Sequence, residues 1–206
     1  MSIRIAQLAP EHLEGAVKLQ RDCFPEPFSE ELLWNLSHLT RHLEVFPEGQ
    51  LVALDGNKVV ASASATLISE ENWQAHRSWE ETVGGAYLST FDPKGSTLYG
   101  LDISVHPEYR GQGLGRLLYS ARFELAERLT LARYGTGCRL PDFRTYAEAN
   151  PGTTVEEYAE NVLEGRASDR TLTPLLRYGL AFLGVIHQYM EDYESDNAGA
   201  LLERSR

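Results

Sequence analysis

One stretch of this chain, Val105 to Arg116, limits what it can fold into more than any other, because it sets Gly111, Gly113 and Gly115 where a strand pattern gives way to a helix pattern. Upstream, between Thr97 and Val105, Leu98, Tyr99, Leu101, Ile103 and Val105 mix with small and polar residues, which predicts a strand. Downstream, Leu114, Leu117, Leu118, Ala121, Leu125, Leu129 and Ala132 recur at helical spacing, with Arg116, Arg122, Glu124, Glu127 and Arg128 mostly beside that stripe. The first turn of a helix carries unpartnered N–H groups and the positive end of the dipole, so such a junction favours an anion. The glycines let backbone approach a phosphate closely, and Arg110 and Arg116 add charged donors.

Spacing separates the phosphate loops that share this logic. A P-loop needs Gly-Lys followed by Ser or Thr, which Gly115-Arg116-Leu117 does not supply. A dinucleotide fingerprint needs glycine where Arg116 stands, near the start of a βαβ unit. The run Arg110-Gly111-Gln112-Gly113-Leu114-Gly115, preceded by Val105-His106-Pro107, instead resembles the acyl-CoA loop of the GNAT superfamily of N-acetyltransferases.

The rest of the chain agrees with one such unit. Its 206 residues, 42% apolar and 24% charged, bound a single globular domain over 1–206, with insertions at about 69–96 and 141–169. No apolar run reaches membrane-spanning length. The start, Met1-Ser2-Ile3-Arg4-Ile5, has no signal-peptide core, and Cys23 and Cys138 stand far apart in no metal spacing. The expectation is therefore a cytoplasmic protein without a metal, its thiols structural; Cys138 as an acylated nucleophile is the lesser alternative. A net charge of −11 argues against nucleic acid and is compatible with cationic amines, although solubility alone explains it.

In order, Ile3–Leu8 reads as a strand and a helix starts near Pro10, burying Leu13, Ala16, Val17 and Phe24. Pro25 to Phe28 breaks it, and Ser29 caps a second helix carrying Leu32, Leu36, Leu39 and Leu43. Leu51–Leu54 and Val59–Leu67 form a hairpin around Asp55-Gly56-Asn57-Lys58. Residues 69–95 read as a segment that packs through its aromatics, with a lid over the acceptor as the alternative. Tyr134-Gly135 is expected to close the central helix, with a strand at Thr136–Leu140 after it. A helix follows at Val155–Leu163, then a short one at Leu172–Tyr178, then strands at Phe182–Tyr189 and Ala200–Glu203 around an acidic, solvated turn (Glu191, Asp192, Glu194, Asp196). The stretches Arg139–Tyr146 and Thr154–Tyr158 resemble a GNAT subgroup also found fused to carbon-nitrogen hydrolases.

The resemblance implies an α/β GNAT fold (α+β by some schemes). It has a mixed, mostly antiparallel sheet of six to seven strands, helices on both faces and the order β-α-α-β-β-β-α-β-α-β-β. It implies acetyl-CoA as donor and a small-molecule or protein amine as acceptor, with a homodimer allowed. Backbone from Arg110 through Gly111, Gln112, Gly113, Leu114 and Gly115 to Arg116 would hold the pyrophosphate, and the strand edge at Ile103, Ser104 and Val105 would pair with pantetheine and polarise the thioester. The loop Cys23–Ser29 would border the acceptor. Asp102 is the candidate base or, equally, a carboxylate paired on the solvent side; His106 is a second titratable group nearby. The family's usual acidic tyrosine falls on Leu175 here, leaving Tyr178 as candidate acid and Tyr99 as another. A CoA-binding module without catalysis and a nucleotide-binding regulatory domain are the alternatives.

Overall fold

The computed structural model describes residues 3–25 and 30–205, the side chain of Glu31 excepted. Seven strands form one sheet in the order β1-β2-β3-β4-β5-β7-β6. They are β1 Ile3–Gln7, β2 Gln50–Asp55, β3 Lys58–Ile68, β4 Thr97–Val105, β5 Arg133–Arg139, β6 Ala181–Ile186 and β7 Gly199–Ser205. Neighbours are antiparallel except β4 and β5, which run parallel. That one parallel pair requires a crossover, supplied by the helix that follows the glycine loop.

Helices cover both faces, as the nearly unbroken burial along β3 requires. On one face α1 (Leu13–Cys23) and α2 (Leu36–Val45) bury Leu13, Leu19 and Leu39 against Val52, Leu54, Tyr99 and Leu101. On the other, α5 (Leu114–Arg128), α7 (Val155–Leu163) and α8 (Leu172–Arg177) bury Phe123, Tyr158, Val162 and Leu172 with Leu98, Tyr134 and Leu202. Short helices α3 (Glu70–Gln74) and α4 (Trp79–Val83) lie in the first long connection and α6 (Phe143–Ala149) in the second.

Several local expectations need correction. Helix α2 starts at Leu36, because the Asn35 side chain accepts from His38 N at 3.0 Å and so caps it there. Leu32 lies outside it in a 3-10 turn, and Leu32 and Leu36 are exposed rather than part of a buried stripe. The proposed cap Ser29, and most of the break before it, lie outside the described residues. Helix α5 stops at Arg128, short of Ala132, since Thr130 turns left-handed with φ 58°. Tyr134-Gly135 is inside β5, where a Cβ on Gly135 would sit 2.4 Å from the Trp73 ring. The glycine serves packing, not capping. Strand β6 ends at Ile186 and leaves Tyr189 in the following turn. That turn is not a plain solvated loop: Asp192 is buried and takes both Arg139 Nε (2.8 Å) and Nη2 (2.5 Å), while Glu194 pairs with Arg139 and Arg170. Burial pushes the Asp192 carboxyl up, but Arg139 and the Ser195 hydroxyl together hold it below its ordinary range.

The first long connection packs through its aromatics, as expected. Trp73 is buried beside Tyr99, and the chain then returns over the sheet, where Trp79 N donates to Tyr189 O at 2.7 Å.

Candidate active site

The central strands part where the chemistry would need room. β4 and β5 pair only from Thr97↔Arg133 to Gly100↔Thr136, after which β4 continues beside β3 and β5 beside β7. A Cβ on Gly100 would meet Tyr134 Oη at 2.1 Å, so the point of separation tolerates no side chain there. Directly after it the register shifts: Gly100 faces Ala65 and Asp102 faces Ser64, leaving Leu101 as an extra, bulged residue. The bulge puts two consecutive side chains on the same face. Leu101 joins the α1 cluster, and Asp102 Oδ2 accepts from Gln20 Nε2 on α1 at 2.9 Å. Ile103 turns to the α5 face beside Leu114 and Leu118.

Backbone direction follows from the pairing. His106 N donates to Val60 O at 3.0 Å and Ser104 faces Ser62, which turns the amides of residues 104 and 106 towards β3. The N–H and C=O groups of Ile103 and Val105 therefore face the opposite edge, where Arg110 Nε donates to Val105 O at 3.1 Å.

At the far end of that edge lies the glycine loop. Pro107–Tyr109 form a 3-10 turn, with the His106 ring accepting from Glu108 N at 3.3 Å; its Nε2 lies 3.6 Å from Asp22. His106 is thus a cap for the loop. Gly111 and Gly113 take φ 74° and 81°, a region glycine enters without penalty, and both are exposed with no atom within 4 Å of where a Cβ would stand. Gly113 is the N-cap of α5 and has no side chain to bond the first-turn amides, which leaves them for a ligand. Leu114 is buried and anchors the turn, while Arg116 is exposed beside it. Arg110 also reaches Cys23 O at 3.5 Å, tying the loop to the end of α1.

Where the strands part, a cavity of about 790 Å³ opens. β4 lines it with Leu101, Asp102 and Ile103, and β5 with Thr136, Gly137, Cys138 and Arg139. Trp34, Trp79 and Tyr189 form aromatic walls. Asp102 Oδ1 is buried in this setting without a hydrogen-bond partner, whereas Oδ2 holds Gln20 and, at 3.3 Å, Ser104 Oγ. The carboxylate thus has one oxygen fixed and one unspent. Cys138 is buried against the cavity, and its thiol is pushed far up by burial and by the Asp169 carboxylate, so it is a poor nucleophile. Burial likewise raises Cys23 to about 11.

The two tyrosines fall at different places. Tyr99 is buried, its hydroxyl 3.0 Å from Tyr189 Oη and accepting from Gly137 N at 3.2 Å, and burial raises it to about 12. Tyr178 caps α8, packs on Tyr119 at 5.5 Å, and holds its hydroxyl 3.8 Å from the Cβ position of Gly115. It stands at the glycine-loop end of the cleft and Asp102 at the cavity end.

Arg122 is the site residue that sequence reading missed. It is 1% exposed, and its hydrogen bonds all go to neutral groups: Tyr134 Oη at 3.2 Å, Ser64 O at 2.6 Å and Asp102 O. Its Nε has no partner. Among the described residues no carboxylate forms an ion pair with it, and a buried cation without a counter-ion costs on the order of several kcal/mol. The available signal was its spacing, four residues after Leu118 and four before Ala126, on the buried side of α5.

The glycine loop on a long helix, the parted strands and the cavity between them define a protein of the acetyltransferase class. The family model described as Acetyltransferase (GNAT) family matches residues 13–147, and the chain belongs to that family. The uncharacterized N-acetyltransferase YkwB of Bacillus subtilis (strain 168) is 37% identical over 191 residues, 93% of this chain and 83% of that protein. The probable hydrolase YhcX of the same organism is 33% identical over 91% of this chain, which spans only 35% of it. Among solved structures, the GphF GNAT-like decarboxylase in complex with isobutyryl-CoA superposes with a TM-score of 0.80 at 25% identity, covering 98% of each chain. Among the described residues no cluster of His, Cys, Asp and Glu is arranged to hold a metal, and no helix is long and apolar enough to cross a membrane.

Proposed function

We propose that this enzyme moves an acetyl group from acetyl-CoA to a primary amine by direct attack. The observation that carries this reading is the continuous open edge of β4, which leads from the glycine-loop amides to the unpartnered Asp102 Oδ1. The amides from Arg110 to Arg116 hold the pyrophosphate, assisted by the dipole of α5. Pantetheine lies along β4 as an added strand, and Ile103 N–H meets the thioester oxygen. When the acceptor nitrogen attacks, the C–N bond forms, the C–S bond breaks, the amine proton passes to Asp102 Oδ1 and CoA leaves as thiolate.

An amine of pKa ~10 is only about a thousandth neutral at pH 7, so a base at the acceptor is useful. Asp102, Glu80 and Glu191 give the cavity its acidic groups, while Arg139 is matched by Asp192 and Glu194. These favour a cationic acceptor. Tyr178, set over the first turn of α5, donates to the CoA side of the cleft, as acid to the thiolate or as a bond to the coenzyme.

A second reading has a specific support. The full-length superposition on a GNAT-like decarboxylase in complex with isobutyryl-CoA favours a malonyl-type thioester that loses CO2 by C–C cleavage, its enolate taking a proton. Calorimetry with acetyl-CoA, CoA and ATP, followed by thiol release across an amine panel and CO2 release from malonyl-type thioesters, tests both. Thiol release only with amine supports acetyl transfer, CO2 without amine supports the second reading, and CoA binding with neither leaves a binding module. ATP binding without CoA binding would sink all of them.

A further inference from the structure

We infer that Arg122 is a positioning residue for the thioester and acts through a single peptide bond, the one joining Asp102 to Ile103. This rests on the reading that Ile103 N–H meets the thioester oxygen.

The argument begins with the bulge. Ser64 and Asp102 face each other, and directly beyond them the extra residue Leu101 shifts the register of the ladder. The Arg122 Nη2 group bonds two carbonyls beside that shift, Ser64 O and Asp102 O, at once. It therefore spans the two strands at the point where their own pairing is interrupted, and fixes the plane of the Asp102–Ile103 peptide.

Because that peptide is trans, its N–H points opposite to its C=O. With the carbonyl gripped by Arg122, Ile103 N–H is held towards the open edge of β4. A cation on the carbonyl oxygen also draws electron density from the amide, and hydrogen bonds joined in series strengthen one another. The donor is thus both aimed and made stronger. Neither effect needs Arg122 to touch the substrate.

A purely structural role accounts for less. An apolar side chain in line with Leu118 and Ala126 would fill the same stripe of α5 without burying a charge. Instead the site supports the cation with the Tyr119 ring, 5.4 Å from the guanidinium carbon, and the Tyr134 hydroxyl. The same helix carries the proposed pyrophosphate site in its first turn, about 12 Å from Arg122 at 1.5 Å per residue. One rigid rod would then set the distance between the anchor of the coenzyme and the donor at its reacting end.

The test is isotope-edited infrared spectroscopy of acetyl-CoA labelled with carbon-13 at the thioester carbonyl, bound without amine to the wild type, Arg122→Met and Arg122→Lys. The wild type should lower the carbonyl frequency relative to free acetyl-CoA. Arg122→Met should return most of that shift and lose on the order of tenfold to a hundredfold in kcat, no more than removal of an oxyanion donor outright costs. Its affinity for acetyl-CoA should change by less than about threefold, since the effect falls on the transition state. Arg122→Lys, which keeps a cation but is shorter and loses the second guanidinium nitrogen that bonds the Tyr134 hydroxyl, should give an intermediate shift, and it decides the matter if Arg122→Met does not fold. A full shift and full kcat in the folded variants, with only the melting temperature lowered, would overturn the role of Arg122 and leave the Ile103 contact standing. No shift in the wild type with acetyl-CoA bound would remove the Ile103 contact and this inference with it.

Discussion

The two ends of the cleft are built by opposite means. At the glycine loop the proposed recognition groups are backbone amides of consecutive residues, in an exposed turn set by two positive-φ glycines. At the cavity, Asp102, Arg122, Trp34, Trp79, Thr136 and Tyr189 come from separate parts of the chain and meet only because β4 and β5 part. The first end is local and chemically general, suited to a phosphate that every acyl-CoA carries. The second is assembled by the tertiary fold, and it is where the proposed function sets the reaction and its acceptor.

Four substitutions or conditions sharpen that contrast, in falling order of effect. Gly113→Val closes the open side of the loop and forces a side chain into φ 81°, so acetyl-CoA affinity should drop on the order of a hundredfold, from the loss of about two charge-assisted hydrogen bonds. Calorimetry reads this, and an unchanged affinity would remove the loop from the coenzyme site. Asp102→Asn should show the reverse pattern, with kcat on amines about a hundredfold lower and acetyl-CoA affinity held within about twofold. Equal losses in both quantities would mean that the two ends are not separable.

The third is a pH effect behind the cavity wall, where His42 packs on Trp34. His42 is fully buried, its Nε2–H donates to Ala86 O at 2.8 Å, and its Nδ1 has no partner, so burial lowers its pKa from 6.5. Since the folded value lies below the unfolded one, the unfolded chain takes up more protons as the solution turns acidic. The stabilisation from the neutral ring is whole above about pH 6.5 and fades as pH falls below it. The melting temperature should decline through that window, and His42→Gln should flatten the decline; an identical slope would clear His42. The smallest effect expected is that of Tyr178→Phe. Its hydroxyl stands by Gly115, so acetyl-CoA affinity should weaken a few-fold and kcat should change by less than about threefold, a difference of one modest hydrogen bond. A drop in kcat of about a hundredfold would make it the acid after all.

Legibility followed the same division. The loop, the strand before it and the helix after it were readable because glycine spacing and apolar period are properties of neighbouring residues, and the family resemblance supplied the sheet. The helix Val155–Leu163 was readable for the same reason, with Thr154 and Glu157 forming its capping box. Boundaries failed where a rival local bond or a distant ring decided, as Asn35 did for α2 and Trp73 for Gly135. Asp102 was legible as a charge in a strand, but its unspent oxygen depends on Gln20, 82 residues away. Arg122 passed as a side residue of the stripe because the carbonyls it serves exist only at a bulge, and periodicity carries no sign of one. The acidic turn misled for a related reason, as its partners Arg139, Arg144 and Arg170 lie far back in the chain.

The parting of the central strands bears on mechanics as well as chemistry. The strands β1 to β4 and β5 to β7 are stitched edge to edge by four residue pairs, with the bond from Trp79 to Tyr189 as a tie across the gap. Such a sheet is most compliant at that seam, and its two halves can twist against each other without breaking the ladders within either. Slow amide exchange should therefore persist in β3 and β7 while the seam exchanges sooner, and a ligand that spans the gap would act as a brace, stiffening the whole sheet from its weakest line.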